Sequence, residues 1–158
     1  MATERQTALA RENYAVLCKT LDAEGIKYQK DEAKYTIQTG IKGKNTDILV
    51  SVTLNPDFSI ISVFCPVNVD VPENYRGQFA IAVSRLNFTM LEGGYDFDPK
   101  SGAVMYRISS CYEESVLSEE ALRYLLFTAL QASDEYHVAL QTVVERAMTP
   151  DQIVNFID

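Results

Sequence analysis

The amino-acid sequence predicts an α+β fold of two layers. One five-stranded antiparallel sheet is covered by helices in the order α-β-β-β-α-β-β-α, and a short helix follows at the C-terminal end. Three observations carry this expectation. Apolar residues recur at helical spacing in three separated segments, period-two alternation fills both intervals between them, and the connections are short turns rather than linkers.

Ala10, Tyr14, Leu17 and Leu21 stand at i, i+4, i+7 and i+11 and share one face of a first helix. Gly25 is placed to end it in a left-handed conformation, with Ile26 covering the last turn. The period then becomes two. Tyr35, Ile37 and Thr39 alternate with polar neighbours, and after the loop from Gly40 to Asn45 so do Ile48, Val50, Val52 and Leu54, which gives strands wet on one side. Asn55-Pro56-Asp57 is a turn, with proline fixing φ and Asn55 able to bond the backbone two residues on. A third strand runs from Phe58 to Cys65 and is stopped by Pro66. Tyr75, Phe79, Val83 and Leu86 form the stripe of a middle helix ending at Leu86-Asn87.

Gly93-Gly94 opens a hairpin in which Tyr95 and Phe97, then Val104, Tyr106 and Ile108, face one way on either side of Asp98-Pro99-Lys100-Ser101-Gly102. Ser118 is the N-cap of a helix of about thirty residues, with Leu117 stapled to Leu122. Its stripe is Leu122, Leu126, Ala129, Ser133, Tyr136, Leu140, Val144 and Ala147. Thr149-Pro150-Asp151-Gln152 is a capping box that starts a tail helix carrying Ile153, Val154, Phe156 and Ile157. At 158 residues the chain suits one domain, with a core from about 8 to 148 and a tail over 149–158.

Charge and cysteine usage narrow the function. The net charge is -8, and residues 51–158 hold fifteen acidic against six basic groups, a balance that repels phosphate and argues against nucleic acid as a partner. Basic residues gather at Lys27, Lys30, Lys34, Lys42 and Lys44, a solvated edge or a docking patch for an acidic partner. No apolar run approaches the ~20 residues of a membrane span, and no signal-peptide core is present, so a cytoplasmic protein is expected. Cys18, Cys65 and Cys111 are odd in number and widely spaced, consistent with reduced thiols acting as small apolar side chains.

No catalytic, cofactor or metal residues are assigned. Asp96 to Gly102 starts like a calcium loop, but Lys100 occupies a ligand position and Arg107 stands where a bidentate glutamate is needed, so a hairpin turn is expected. His137 lies mid-helix with no nucleophile or carboxylate at fixed spacing and is expected to pack. Asn87-Phe88-Thr89 matches a glycosylation sequon but is expected to serve as a helix cap. Of the nine tyrosines, Tyr35, Tyr95, Tyr106, Tyr112 and Tyr124 sit half-buried at the sheet–helix margin or anchor a partner.

Leu86-Asn87, Gly94-Tyr95-Asp96-Phe97-Asp98, Gly102-Ala103-Val104-Met105-Tyr106-Arg107 and the Ser118-initiated helix containing Asp134-Glu135-Tyr136 resemble the YbjN-like family of bacterial sensory-transduction regulators. Its fold is similar to that of type III secretion chaperones, which look like small acidic dimers that bind an unfolded stretch of another protein. The resemblance implies a non-enzymatic, chaperone-like or regulatory module acting on a protein partner and pairing as a homodimer near the middle helix. Candidate contact residues are Tyr75, Phe79, Val83, Leu86, Tyr95, Tyr106 and Phe156. A sensor holding a small ligand between sheet and helices, or an unrecognised enzyme, are the alternatives.

Overall fold

In the computed structural model, which describes residues 1–157, helices pack on one face of a single antiparallel sheet. Asp158, the last residue of the expected tail, lies outside the described residues. The elements are α1 (Glu4–Ala23), β1 (Gln29–Asp31), β2 (Thr36–Lys42), β3 (Asp47–Asn55), β4 (Ile60–Val67), α2 (Arg76–Thr89), β5 (Gly94–Phe97), β6 (Val104–Cys111), α3 (Glu119–Glu145) and α4 (Pro150–Phe156). Strand order is β1-β2-β3-β4-β6-β5, because the chain crosses through α2 to the far edge before β6 returns between β4 and β5.

Local chemistry sets the boundaries. Thr3 and Gln6 make a capping box at the start of α1. At its end Gly25 takes φ 68°, and Ile26 N donates to Leu21 O at 3.0 Å, a Schellman turn that satisfies two orphan carbonyls with Gly25 N on Asp22 O. Ser118 Oγ accepts from Ala121 N at the start of α3. The Thr149–Gln152 capping box with Pro150 at the first helical position launches α4. Asp57 N donates to Asn55 Oδ1 at 3.0 Å, closing the expected turn.

The sheet has six strands, not five. The additional one, β1, carries Gln29, Lys30 and Asp31 at the edge, where both faces meet water and no apolar alternation is required. Three further boundaries differ from the expected ones. Tyr35 sits at φ 49° in the β1–β2 turn rather than in a strand. Phe58 is exposed in a turn completed by Ser59 at φ 50°, so β4 begins at Ile60. Pro66 does not stop β4, which continues beside β6 to Val67. The middle helix extends to Thr89, and in α3 it is His137 and Val143 that are buried, while Tyr136 and Val144 are half-buried and Ala147 is exposed.

Ile37, Val52, Val63 and Ile108 are paired in register across β2, β3, β4 and β6, so one row of the sheet is apolar from strand to strand. α3 lies over β3, β4 and β6, α1 packs beside it, and α2 covers β5. The opposite row, Thr36, Thr53, Ser62 and Ser109, is joined by hydroxyl pairs at 3.2 and 2.7 Å and faces solvent. Buried Asn13 ties α1 to the segment before α3, donating to Ser115 O at 3.0 Å and accepting from Leu117 N at 2.8 Å.

Leu126 is 1% exposed at the centre of the α3 contact. Replacing it with alanine is expected to lower stability by about 2–5 kcal/mol, read as a shift in the urea midpoint; a loss below about 0.5 kcal/mol contradicts its place in the core.

Candidate protein-interaction surfaces

Pairing of β3 with β4 ends at Ser51↔Phe64, yet β3 continues along β2 to Asp47 and β4 continues along β6 to Val67. The sheet therefore splits between these two strands. Pro66 stands at the split, where its missing N–H breaks no ladder bond to β3.

The carboxylate of Asp134 on α3 holds the β2–β3 loop beside the split. Its Oδ1 accepts from Asn45 N at 2.8 Å and Thr46 N at 3.1 Å, and its Oδ2 from Lys44 N at 3.1 Å. A Cβ at Gly43 would collide with the same carboxylate, so the approach requires glycine. These bonds, the Asn45 N–H foremost, hold the Asp134 carboxyl below the usual aspartate range. On the helix side of the split, Ser133 and His137 border a void of about 10 Å3, the scale of one water molecule. Ser133 Oγ is buried without a hydrogen bond of ordinary geometry.

On the outer side the split widens into a groove of about 550 Å3. Gln38, Gly40, Leu49 and Ser51 form its floor, Lys27 and Pro66 stand at its ends, and no acidic side chain lines it. Leu49 is 66% exposed there. A second group of exposed apolar side chains lies around the end of α2, with Phe88 81% and Leu91 98% exposed. The Arg85 guanidinium sits 5.7 Å from the Phe88 ring centre and donates from Nε to Ile157 O at 2.8 Å.

Six of the seven expected contact residues are buried. Tyr75, Phe79, Val83 and Leu86 form the inward stripe of α2 and the turn before it, and Tyr95 and Tyr106 lie under the helices. Their burial follows from the apolar stripe at helical spacing that the domain's own core requires. The tyrosine hydroxyls act as internal tethers: Tyr75 donates to Met148 O at 2.6 Å, Tyr95 to Ala132 O at 2.8 Å and Tyr106 to Glu92 O at 3.0 Å. Burial pushes the Tyr106 pKa up to about 12 and raises that of Tyr95 further. Phe156 alone remains exposed, at 42%, while Ile153 and Ile157 fold the tail back onto α2.

The remaining candidates are engaged structurally. Asp98 caps its own turn, accepting from Lys100 N and from Ser101 N and Oγ, and Asp96 pairs with Arg107 at 2.7 Å. Arg76 donates to the carbonyls of Lys100 and Ser101 at 2.6 and 3.0 Å. Asn87 is not the helix cap expected of it, since α2 runs on to Thr89 with Met90 at its C-cap; its side chain instead brackets Tyr95, donating to its carbonyl at 2.9 Å and accepting its N–H at 2.7 Å. His137 is packed at 8% exposure, Cys65 is buried with its thiol pushed up by desolvation, and Cys111, unlike the expectation for it, is exposed. Among the described residues no helix is long and apolar enough to cross a membrane, and no cluster of three or more His, Cys, Asp or Glu is arranged to hold a metal ion.

These surfaces belong to a fold with relatives. The family model described as "Putative bacterial sensory transduction regulator" matches residues 13–142. The chain belongs to the YbjN family. Among solved structures it is similar to YbjN from E. coli, at 11% identity and TM-score 0.56, over 85% of this chain and 92% of that one. It is also similar to a chain of the HopA1–SchA chaperone–effector complex, at 15% identity and TM-score 0.55, over 84% and 95%. A chain of the ExsC–ExsE complex matches at 13% identity and TM-score 0.54, over 89% and 97%. At these identities the likeness is one of fold. Among curated proteins none matches the chain in sequence.

Asp134 gives a pH test. A carboxyl with a depressed folded pKa stabilises above the unfolded value of about 3.9 and loses that contribution as pH falls through the folded value. Asp134→Asn is therefore expected to unfold at lower urea than the native protein at pH 7, with the gap narrowing below about pH 4. A gap unchanged from pH 7 to pH 3 contradicts the carboxylate's role.

Proposed function

We propose that this protein is a non-enzymatic binding module, chaperone-like or regulatory, that acts on a protein partner. The observation that carries the reading is the uncovered outer face of the sheet, with its groove around the exposed Leu49 at the β3/β4 split. Exposed apolar surface of this kind is what interaction sites present. Membership of a family described as sensory transduction regulators, and a fold shared with chaperone–effector complexes, supports a protein partner. The polar groups that suggested chemistry in the sequence are used to hold turns and helices together. The three free cysteines suit a reducing compartment such as the cytoplasm.

The module acts as a homodimer in this reading. With the inward stripe of α2 buried, pairing falls to the outward side of its C-terminal end, where Phe88 and Leu91 are exposed. Sedimentation at micromolar concentration is expected to give twice the 17.7 kDa of one chain, and Phe88→Asp to give the single-chain mass. A monomeric native protein removes the dimer. Phe79→Asp is not a test of pairing, since Phe79 is 0% exposed and a charge there disrupts folding.

Partner binding itself is tested by affinity capture from native cells with the purified protein as bait. A protein recovered in near-stoichiometric amount supports the module; retention of no protein, together with a small molecule carried through purification, favours a ligand sensor instead.

A further inference from the structure

We propose that the groove at the β3/β4 split takes an extended, acidic segment of a partner protein, an assignment that rests on the protein-binding reading above. Three features select this occupant. The first is shape. The groove crosses the sheet from Lys27 beside β1 to Pro66 on β4. Three inter-strand spacings amount to about 14 Å, the length of about four residues of extended chain. A groove of that length accommodates a short stretch of extended polypeptide.

The second is polarity. Leu49 and Pro66 offer apolar contact, Gly40 leaves the space beside Leu49 open, and Gln38 and Ser51 supply side-chain donors and acceptors to main-chain groups. Leu49 is 66% exposed on the free protein, so its cover on binding is a gain in buried apolar area.

The third is charge. In a chain of net charge -8 the groove is lined by a lysine and by no acid. Lys42 follows Gly40 on the same face of β2, and Lys44 stands in the loop beyond it. Lys27, Lys42 and Lys44 make no ion pair with any described residue, whereas Lys30 and Lys34 are paired with Glu32 and Asp31. Asp47, directly across from Lys42 in register, is the acid nearest in the ladder and stands beyond ion-pair distance. Unpaired lysines around the exposed Leu49 complement acidic side chains alternating with apolar ones. An extended chain presents that alternation, placing its apolar side chains on Leu49 and its carboxylates toward the lysines.

The test uses the full-length protein and three fluorescein-labelled probes: an eight-residue peptide alternating valine and glutamate, the same peptide with lysine for glutamate, and an oligothymidylate of eight nucleotides. The acidic peptide is expected to bind, more weakly as salt rises, and to shift the amide resonances of Gln38, Gly40, Leu49 and Ser51. Leu49→Asp is expected to weaken it at least about tenfold, and the double variant Lys27→Glu, Lys42→Glu to weaken it while improving binding of the lysine peptide. These are exposed positions; should Leu49→Asp lose the native thermal transition, the lysine double variant carries the test alone. The proposal is overturned if the acidic peptide fails to bind, if the lysine peptide or the oligonucleotide binds equally well, or if the resonance shifts fall on α2 and α3. Failure here is separable from failure of the binding-module reading: a partner captured equally by native protein and by Leu49→Asp keeps the module and removes the groove.

Discussion

Burial of one continuous apolar row across four strands governs this molecule. Ile37, Val52, Val63 and Ile108 stand side by side in register, and a row of this kind must be covered on its own face only. Three helices meet that need, with the α3 residues Leu122, Leu126 and Ala129 supplying much of the cover. Because side chains alternate across a strand, the same geometry commits every intervening residue to the outer face. The groove, the hydroxyl pairs and the Asp96–Arg107 bridge all lie there as a consequence of a core built on the other side.

A sheet free on one face still has to remain regular, and here it does not. The strands separate beyond Ser51↔Phe64, and the break is held from the helix side by a charged contact rather than by apolar packing. Asp134 replaces water for three backbone N–H groups of the β2–β3 loop, and the absence of a side chain at Gly43 lets α3 come close enough to do so. An anion held by several backbone N–H donors is well matched, since each donor stabilises the ionised form. α3 is thereby fastened to the loop that carries Lys44 through one side chain.

The core was legible in the sequence because period and burial report the same physics. The stripes of α1 and α2 and the alternation in β3 and β6 are buried as their spacing demands, and Ser118 and the Thr149–Gln152 box cap helices as their chemistry demands. What escaped was set by tertiary context. An edge strand of Gln29, Lys30 and Asp31 carries no hydrophobic signal to read. Pro66 was read as the end of a strand because proline cannot donate to a ladder, and the structure satisfies that restriction by withdrawing the neighbouring strand instead. The same event makes the groove, so the candidate site had a sequence signal whose meaning depended on which side of β4 lost its partner. The stripe of Tyr75, Phe79, Val83 and Leu86 supports two readings in the sequence, core and contact surface, and spacing alone does not separate them; the structure buries it.

The residues by which the chain resembles its family explain the fold without explaining recognition. Asn87 brackets the backbone of Tyr95, and a Cβ at Gly94 would stand 3.3 Å from its Oδ1, so an asparagine and a glycine seven residues apart fasten α2 to β5. At Gly93, φ is 65° and a Cβ would collide with the Tyr106 hydroxyl, which fixes the entry to the same hairpin. Each of these requirements is met inside the domain. Leu49, Lys27 and Lys42 have the opposite character: their side chains are exposed, and neither lysine makes an ion pair with a described residue. A fold shared at 11–15% identity is compatible with this division, since buried constraints preserve the architecture while the outer face is free to take whatever chemistry its partner demands.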